Sequence, residues 1–344
     1  MLGVDLDVVQ QPVELEDLNG LVERRVDAPA QRAAAATEGR ARDTARRRRG
    51  HVALEPLLQR DRPLHDARVP DPGGGRNWVG GAPPHPVCSK SMASRDEIVA
   101  FLDGLLDIEA YPDGLPVGMQ VPGAAEVSRV ATGVSASLEL FARAAEVRAQ
   151  LLIVHHGLFF GSGPRPPLST ADKARLKTLF DADISLLAYH LALDAHPEVG
   201  NNALICDLLE LDDRAGFGRE GGRTIGFIGS TAAPTAITEV VEQVRRHINP
   251  EPLVLAHGPD MVDRIAVISG GASKFAADAA AAGAQCFLTG EPTEQVRWAA
   301  AESGIHVIAA GHYATEVFGV RALGDVVASR FGVEHVFIDV PNPI

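Results

Sequence analysis

The chain has 344 residues, a formal net charge of −13, 46% hydrophobic and 22% charged residues, and three scattered cysteines, Cys88, Cys206 and Cys286. This length suggests roughly two domains of about 150 residues, in an ordinary soluble globular composition. The acidic balance excludes a general nucleic-acid binder; the odd, widely spaced cysteines exclude a disulfide framework and a CxxC zinc knuckle; no apolar run nears the ~18 residues of a membrane span. The expected protein is soluble, reduced and cytoplasmic, with no secretory signal in its acidic start.

Residues 1–91 differ from the rest. They hold 14 Lys+Arg against 13 Asp+Glu, whereas the remainder holds 18 against 32. They carry Arg46-Arg47-Arg48-Arg49, Gly73-Gly74-Gly75 and Pro83-Pro84. Their poor apolar periodicity predicts disorder. Three readings compete: a basic interaction arm, a transit peptide, or an upstream stretch foreign to the working protein. Transit peptides avoid acidic residues, and a well-formed start follows at Met92, so the third is favoured. Ser94-Arg95-Asp96-Glu97 reads as a capping box. Ile98, Phe101, Leu102, Leu105 and Leu106 then trace one helical face.

From Met92 onward, strands and helices alternate. Strands are predicted at 129–134, 151–154, 184–189 and 224–228. Helices are predicted at 138–147, 172–180, 202–209 and 235–247. Two strands follow, at 253–256 and 264–269, then a helix at 275–282. A strand at 285–288, a helix at 294–302, a strand at 306–309, a helix at 315–330 and a strand at 335–339 complete the chain. Alternation of this kind is the α/β signature. The strand pair within 253–269 suggests a smaller lobe at about 222–292, inserted into a main lobe of 92–221 plus 293–344.

Three strand ends collect chemistry. Leu151-Leu152-Ile153-Val154 runs into His155-His156-Gly157. At a turning strand terminus two adjacent imidazoles can flank one point, and glycine permits the turn. The plainer reading is two polar residues ending a strand. The strand at 184–189 is followed by His190, Asp194 and His196. Asp194 also suits a cap or an Asx turn, the histidines also suit a surface, and Asn201-Asn202 most simply starts the next helix. The strand at 306–309 passes through Gly311 to His312 and Glu316, which share a helical face at i, i+4. Together the three ends offer more than one catalytic zinc needs. They suit two ions a few ångströms apart with bridging oxygens. Glu291, after Leu288-Thr289-Gly290, either joins the same crevice or caps the following helix. Gly270-Gly271-Ala272-Ser273-Lys274 lacks P-loop spacing and reads as a plain strand–helix turn.

These residues resemble the Nif-three-like dinuclear-metal proteins, also labelled GTP cyclohydrolase 1 type 2 homologues. The resemblance runs from about Arg95 to the C-terminus. It is carried by Arg95–Leu102, Gly118-Met119-Gln120-Val121, His155-His156-Gly157, the 190–202 segment, Thr289-Gly290-Glu291 and Gly311–Glu316. It implies a two-lobed α/β fold with a dinuclear site at strand ends between the lobes, and a homohexamer. It implies His155, His156, Asp194, His312 and Glu316 as ligands of two divalent ions (Zn, Fe, Mn or Ni). It also implies a metal-dependent hydrolase of a nucleotide-like or other small substrate, with His190 and Glu291 handling protons. A non-enzymatic metal-binding or regulatory hexamer is the alternative.

Overall fold

The computed structural model describes residues 92–111, 113–159 and 167–344. The expectation of a disordered or foreign segment at 1–91 lies outside the described residues. The chain starts with β1 (Ala93–Ser94) and α1 (Arg95–Leu106). Ser94 caps α1 by accepting the Glu97 N–H at 3.5 Å. Then come β2 (Gly118–Val121), β3 (Glu126–Val127), β4 (Arg129–Ser135), α2 (Leu138–Glu146), β5 (Leu151–His156), α3 (Thr170–Asp181), β6 (Ser185–Ala188), α4 (Leu191–Asp194) and α5 (Asn201–Leu208). The complete reciprocal capping box forms at α3, between Ser169 and Asp172. The second half holds β7 (Asp212–Glu220), β8 (Arg223–Ala236), α6 (Ile237–His247), β9 (Leu253–Leu255), β10 (Met261–Val267), α7 (Ala276–Ala281), β11 (Cys286–Thr289), α8 (Val296–Ser303), β12 (His306–Ala309), α9 (His312–Phe331) and β13 (Glu334–Phe337).

The longer strands form two sheets. The first has the order β13-β4-β5-β6-β2 and the second β7-β8-β10-β11-β12-β9. In the first, β13, β4, β5 and β6 are parallel and β2 is an antiparallel edge. In the second, β10, β11 and β12 are parallel, flanked by antiparallel β8 and β9. The α/β expectation therefore holds. Both strands expected within 253–269 form, as β9 and β10, and they take separate places in the sheet: β9 pairs with β12, and β10 with β8 and β11. The second sheet draws its strands from within 212–309.

Why β5 sits centrally follows from its sequence. Leu151 and Ile153 face one side, against Ile98, Leu102, Val320 and Leu323 of α1 and α9. Leu152 and Val154 face the other, against Leu140, Phe141 and Leu179 of α2 and α3. Period-2 alternation places apolar groups on both faces, as a buried parallel strand requires. Each such side chain contributes roughly 1.5–3 kcal/mol on leaving water. The second sheet repeats the scheme: Ala266, Phe287 and Val307 pack on one face, and Val267, Leu288 and Ile308 on the other. Among the described residues, no helix is long and apolar enough to cross a membrane.

Candidate metal centre

The carboxyl ends of β5 and β6 in one sheet meet those of β10, β11 and β12 in the other. Open α/β sheets place sites at such ends. His155 and His156 close β5, His190 and Asp194 follow β6, and His312 and Glu316 occupy the first turns of α9. Gly311, at φ 91°, makes the turn from β12 into α9. After β5, the Gln120 amide fills the space beside Gly157, where a Cβ would lie 2.3 Å from it. Gln120 Oε1 also accepts the Leu158 N–H at 2.7 Å, fixing the chain as it leaves the two histidines.

Glu316, 2% exposed, lies at the centre. Its Oε1 is 3.4 Å from His155 Nε2 and 3.1 Å from His312 Nε2, and its Oε2 is 3.3 Å from His156 Nε2. Asp194 Oδ2 is 3.5 Å from His155 Nε2. Burial opposes the charge on Glu316, but His155 and His312 outweigh it and hold the carboxyl well below its ordinary range. Burial likewise opposes charge on His155, yet Asp194 and Glu316 raise its pKa to about 9. Glu316 and Glu291 hold His312 at about 9 against burial. His156 is pushed down to about 3 by burial, which the attraction of Glu316 does not offset among three neighbouring imidazoles.

The opposite ring edges are engaged elsewhere. His155 Nδ1 lies 3.0 Å from the Tyr189 carbonyl, so that nitrogen donates and Nε2 is the atom that faces the cluster. His156 Nδ1 lies 3.0 Å from Ser135 Oγ. His312 Nδ1 lies 2.8 Å from Glu291 Oε2, and His190 Nδ1 2.9 Å from Asp113 Oδ2. Orientation of this kind by carbonyls and carboxylates is typical of metal-ligating histidines. Asp194 Oδ1 accepts from Asn201 Nδ2 at 2.8 Å and Ser269 Oγ at 3.0 Å, which leaves Oδ2 toward His155.

The donor set fits a cation. His155 Nε2 and Glu316 Oε2 are buried without a hydrogen-bond partner. The separations of 3.1–3.5 Å are longer than the ~2.7–2.9 Å of charge-assisted bonds. Donors held at about 2.1 Å around a tetrahedral ion stand roughly 3.4 Å apart. Among the described residues, two groups could each hold an ion, with ligand atoms within 4.8 Å of one another inside each group: His155, His156 and His190, and His156, His312 and Glu316. The two groups share His156.

The Duf34/NIF3 (NGG1p interacting factor 3) profile matches residues 93–343. The chain belongs to this family. A Pseudomonas aeruginosa member, named GTP cyclohydrolase 1 type 2 homolog, is 44% identical over 246 residues, covering 72% of this chain and 97% of the relative. A Pyrococcus horikoshii protein of the same name is 44% identical over 252 residues, covering 72% and 98%. Among solved structures, ybgI, described as of unknown function, is 36% identical with a TM-score of 0.69, covering 73% of this chain and all (100%) of its own. TTHA1606 from Thermus thermophilus is 37% identical with a TM-score of 0.68, covering 73% and 100%.

In this Duf34/NIF3 chain the seven residues singled out from sequence lie in one region. Glu291 is not the cap of α8, whose N-cap is Gln295; its carboxylate holds His312. His196 stands apart, accepting the Glu198 and Val199 N–H groups in a turn. Sequence reasoning missed Asp113, Ser135 and Ser269, and treated Asn201 and Gly270 as ordinary helix-start and turn residues. Gly270, at φ +62°, packs so closely that a Cβ would lie 2.3 Å from Glu316 Oε1. A Ser-Gly-Gly run directly after a buried strand was the available signal for that approach.

Proposed function

We propose that this Duf34/NIF3 protein holds two divalent metal ions, Zn, Fe, Mn or Ni, on His155, His156, Asp194, His312 and Glu316. We further propose that it is a metal-dependent hydrolase of a nucleotide-like or other small substrate, resembling GTP cyclohydrolase 1 type 2. The observation that carries this reading is Glu316: a buried carboxylate with both oxygens within 3.1–3.4 Å of three imidazole nitrogens. A carboxylate has two oxygens to divide between two ions, whereas each imidazole offers one nitrogen.

Two ions in one site, when bound, lower the pKa of water and polarise an electrophile. The chain's own residues supply the rest. His155 and Asp194 form the buried side. His156, His190 and His312 have side chains 17%, 23% and 27% exposed, giving the site a side open to a small molecule. That open side favours an enzyme over a closed storage or regulatory site. His190 is the proton carrier at its rim, its Nδ1 held by Asp113 so that Nε2 is the exchanging atom. Glu291 holds or releases the proton on His312 Nδ1. The name shared by the relatives supports GTP as the first substrate to try. The same reading makes the working unit a cytoplasmic homohexamer, built of a main and a smaller lobe from Met92 onward; light scattering should return six chains per particle.

The test is turnover of GTP and other nucleotides by metal-loaded protein, with His190→Ala alongside. Loss of a general acid–base group costs about 10²–10⁴-fold. The expected result is consumption of one nucleotide, reduced by at least a hundredfold per bound metal ion in His190→Ala. Full metal loading without turnover across the screen would favour the non-enzymatic metal-binding assembly.

A further inference from the structure

A second feature adjoins the centre. A cavity of about 240 Å³ lies between the start of α2, Tyr313 and the tail 340–343. We propose that this cleft is a binding subsite for a planar, N–H-bearing heterocycle of the nucleobase kind, seated beside the metal centre. The proposal deepens the hydrolase reading and rests on its nucleotide-like substrate.

Position comes first. Ser135 lines the cleft and its hydroxyl lies 3.0 Å from His156 Nδ1. Tyr313, which also lines it, directly follows His312. The cleft therefore lies behind His156, on the Nδ1 edge turned away from the cluster, with Ser135 between them. Size comes second. Whole drug-sized ligands take about 300–1,000 Å³, so this volume suits one ring system rather than a complete nucleotide. Chemistry comes third. Tyr313, Pro341 and Pro343 give flat apolar surface, while Ser137, Glu139 and Asn342 supply polar groups. No lysine or arginine is among the lining residues, and the adjacent Arg143 is already paired with Glu139 and the Asp339 carbonyl, so the cleft does not suit a phosphate. Glu139 Oε1 accepts from Arg143 Nη2 at 2.6 Å, which leaves Oε2 as the acceptor for an N–H group on a ring edge.

The tail wall is already pinned. Tyr313 donates its hydroxyl to Asp339 Oδ1 at 2.5 Å and its N–H to the Ile344 carbonyl at 3.0 Å. Arg143 Nη1 donates to the Asp339 carbonyl at 2.7 Å, and Ile344 N donates to Asn342 Oδ1 at 3.1 Å. Two prolines further restrict the backbone. A wall ordered before binding spares the entropy of ordering it afterwards.

The experiment is calorimetric titration of the full chain, with and without loaded metal, using guanosine, ribose 5-phosphate and inorganic phosphate as separate probes. Base–aromatic stacking predicts that Tyr313→Ala weakens guanosine about tenfold or more, whereas Tyr313→Phe stays within about threefold of wild type. Asn342→Trp, on the exposed tail, fills the cleft and should weaken guanosine similarly without touching the core. Metal content and melting temperature should stay at wild-type values in Asn342→Trp. Guanosine that does not bind wild type, binds both disruptive variants as tightly, or is displaced equally by phosphate would overturn the subsite. The two readings separate cleanly. Metal-loaded protein that ignores guanosine removes the subsite alone. Tyr313-dependent guanosine binding in protein that takes up no metal removes the metal centre and keeps the subsite.

Discussion

Glu316, one turn into α9, brings its Oε1 to 3.4 Å from Nε2 of His155, the residue at the end of β5. His155 closes β5 of the five-stranded sheet. Glu316 stands on α9, which leaves β12 of the six-stranded sheet. The cluster therefore exists only in the folded chain. An ion bound there binds the folded chain alone, and stabilises it by about 2.7 kcal/mol at a hundredfold excess over Kd. Stripping the metal should lower the melting temperature by roughly 5–10 °C, and restoring it should reverse the loss. Scanning calorimetry before and after chelation checks this; an unchanged melting temperature would speak against a bound ion.

Gly270 is the tightest backbone approach to the centre. At φ +62°, with its would-be Cβ 2.3 Å from Glu316 Oε1 and 3.1 Å from His312 Nε2, it has no tolerance for a side chain. Gly270→Ala should lose at least about 1 kcal/mol from backbone strain and displace the carboxylate. Metal content should fall by half or more. Gly304→Ala is the control, because its φ of +64° is similar but nothing lies within 4 Å. It should show the strain without the loss of metal. Equal metal content in both variants would break the link between Gly270 and Glu316.

Loading should depend on pH in a defined direction. His155 and His312 are both raised to about 9 in the metal-free fold, His155 by Asp194 and Glu316 against burial, His312 by Glu316 and Glu291 against burial. Their protonated forms stabilise that fold below the ordinary histidine value of about 6.5, and this contribution fades as pH rises through about 9. Metal must displace the same protons, so its binding is weaker at low pH. The melting-temperature gap between loaded and metal-free protein should widen from pH 6.5 to 9. A gap that narrowed would mean that these nitrogens do not meet the ion.

Asn201 ties the site to α9 from behind. Its Nδ2 donates to Asp194 Oδ1 at 2.8 Å, and its Oδ1 accepts the Gly319 N–H at 2.7 Å. Asn201→Ala leaves buried groups on both sides without this partner, at about 1–3 kcal/mol for each left unsatisfied. Denaturant titration should show a loss of about 2 kcal/mol or more, with weaker metal binding through a freed Asp194. A stability within 0.5 kcal/mol of wild type, about the scatter of surface changes, would show that water replaces the side chain.

The sequence made much of this legible, for a physical reason. Leu151–Val154 is apolar on both faces, so its place in a parallel sheet, and the turn at His155-His156-Gly157, follow from local pattern. The i, i+4 pairing of His312 and Glu316 is equally local. Asp113 was not legible. It reaches His190 from a loop outside any periodic element, and only the fold brings the two together. β7 was missed because Asp212–Glu220 has little apolar alternation and is mostly exposed. The two strands within 253–269 were legible, but not their places in the sheet, because nearness along the chain does not set partners: β9 finds β12, and β10 lies between β8 and β11.

Counting metal per chain tests the central claim most directly. Protein purified without added metal, then loaded and desalted, should carry about two divalent ions per chain by mass spectrometry. Glu316→Gln keeps the shape of the side chain but removes the charge that lets two neighbouring cations coexist. Its count should fall to one or less with the fold retained, while Glu302→Gln, on α8 outside the cluster, should keep two. Two tightly held ions in Glu316→Gln, or none in the wild type, would contradict the account.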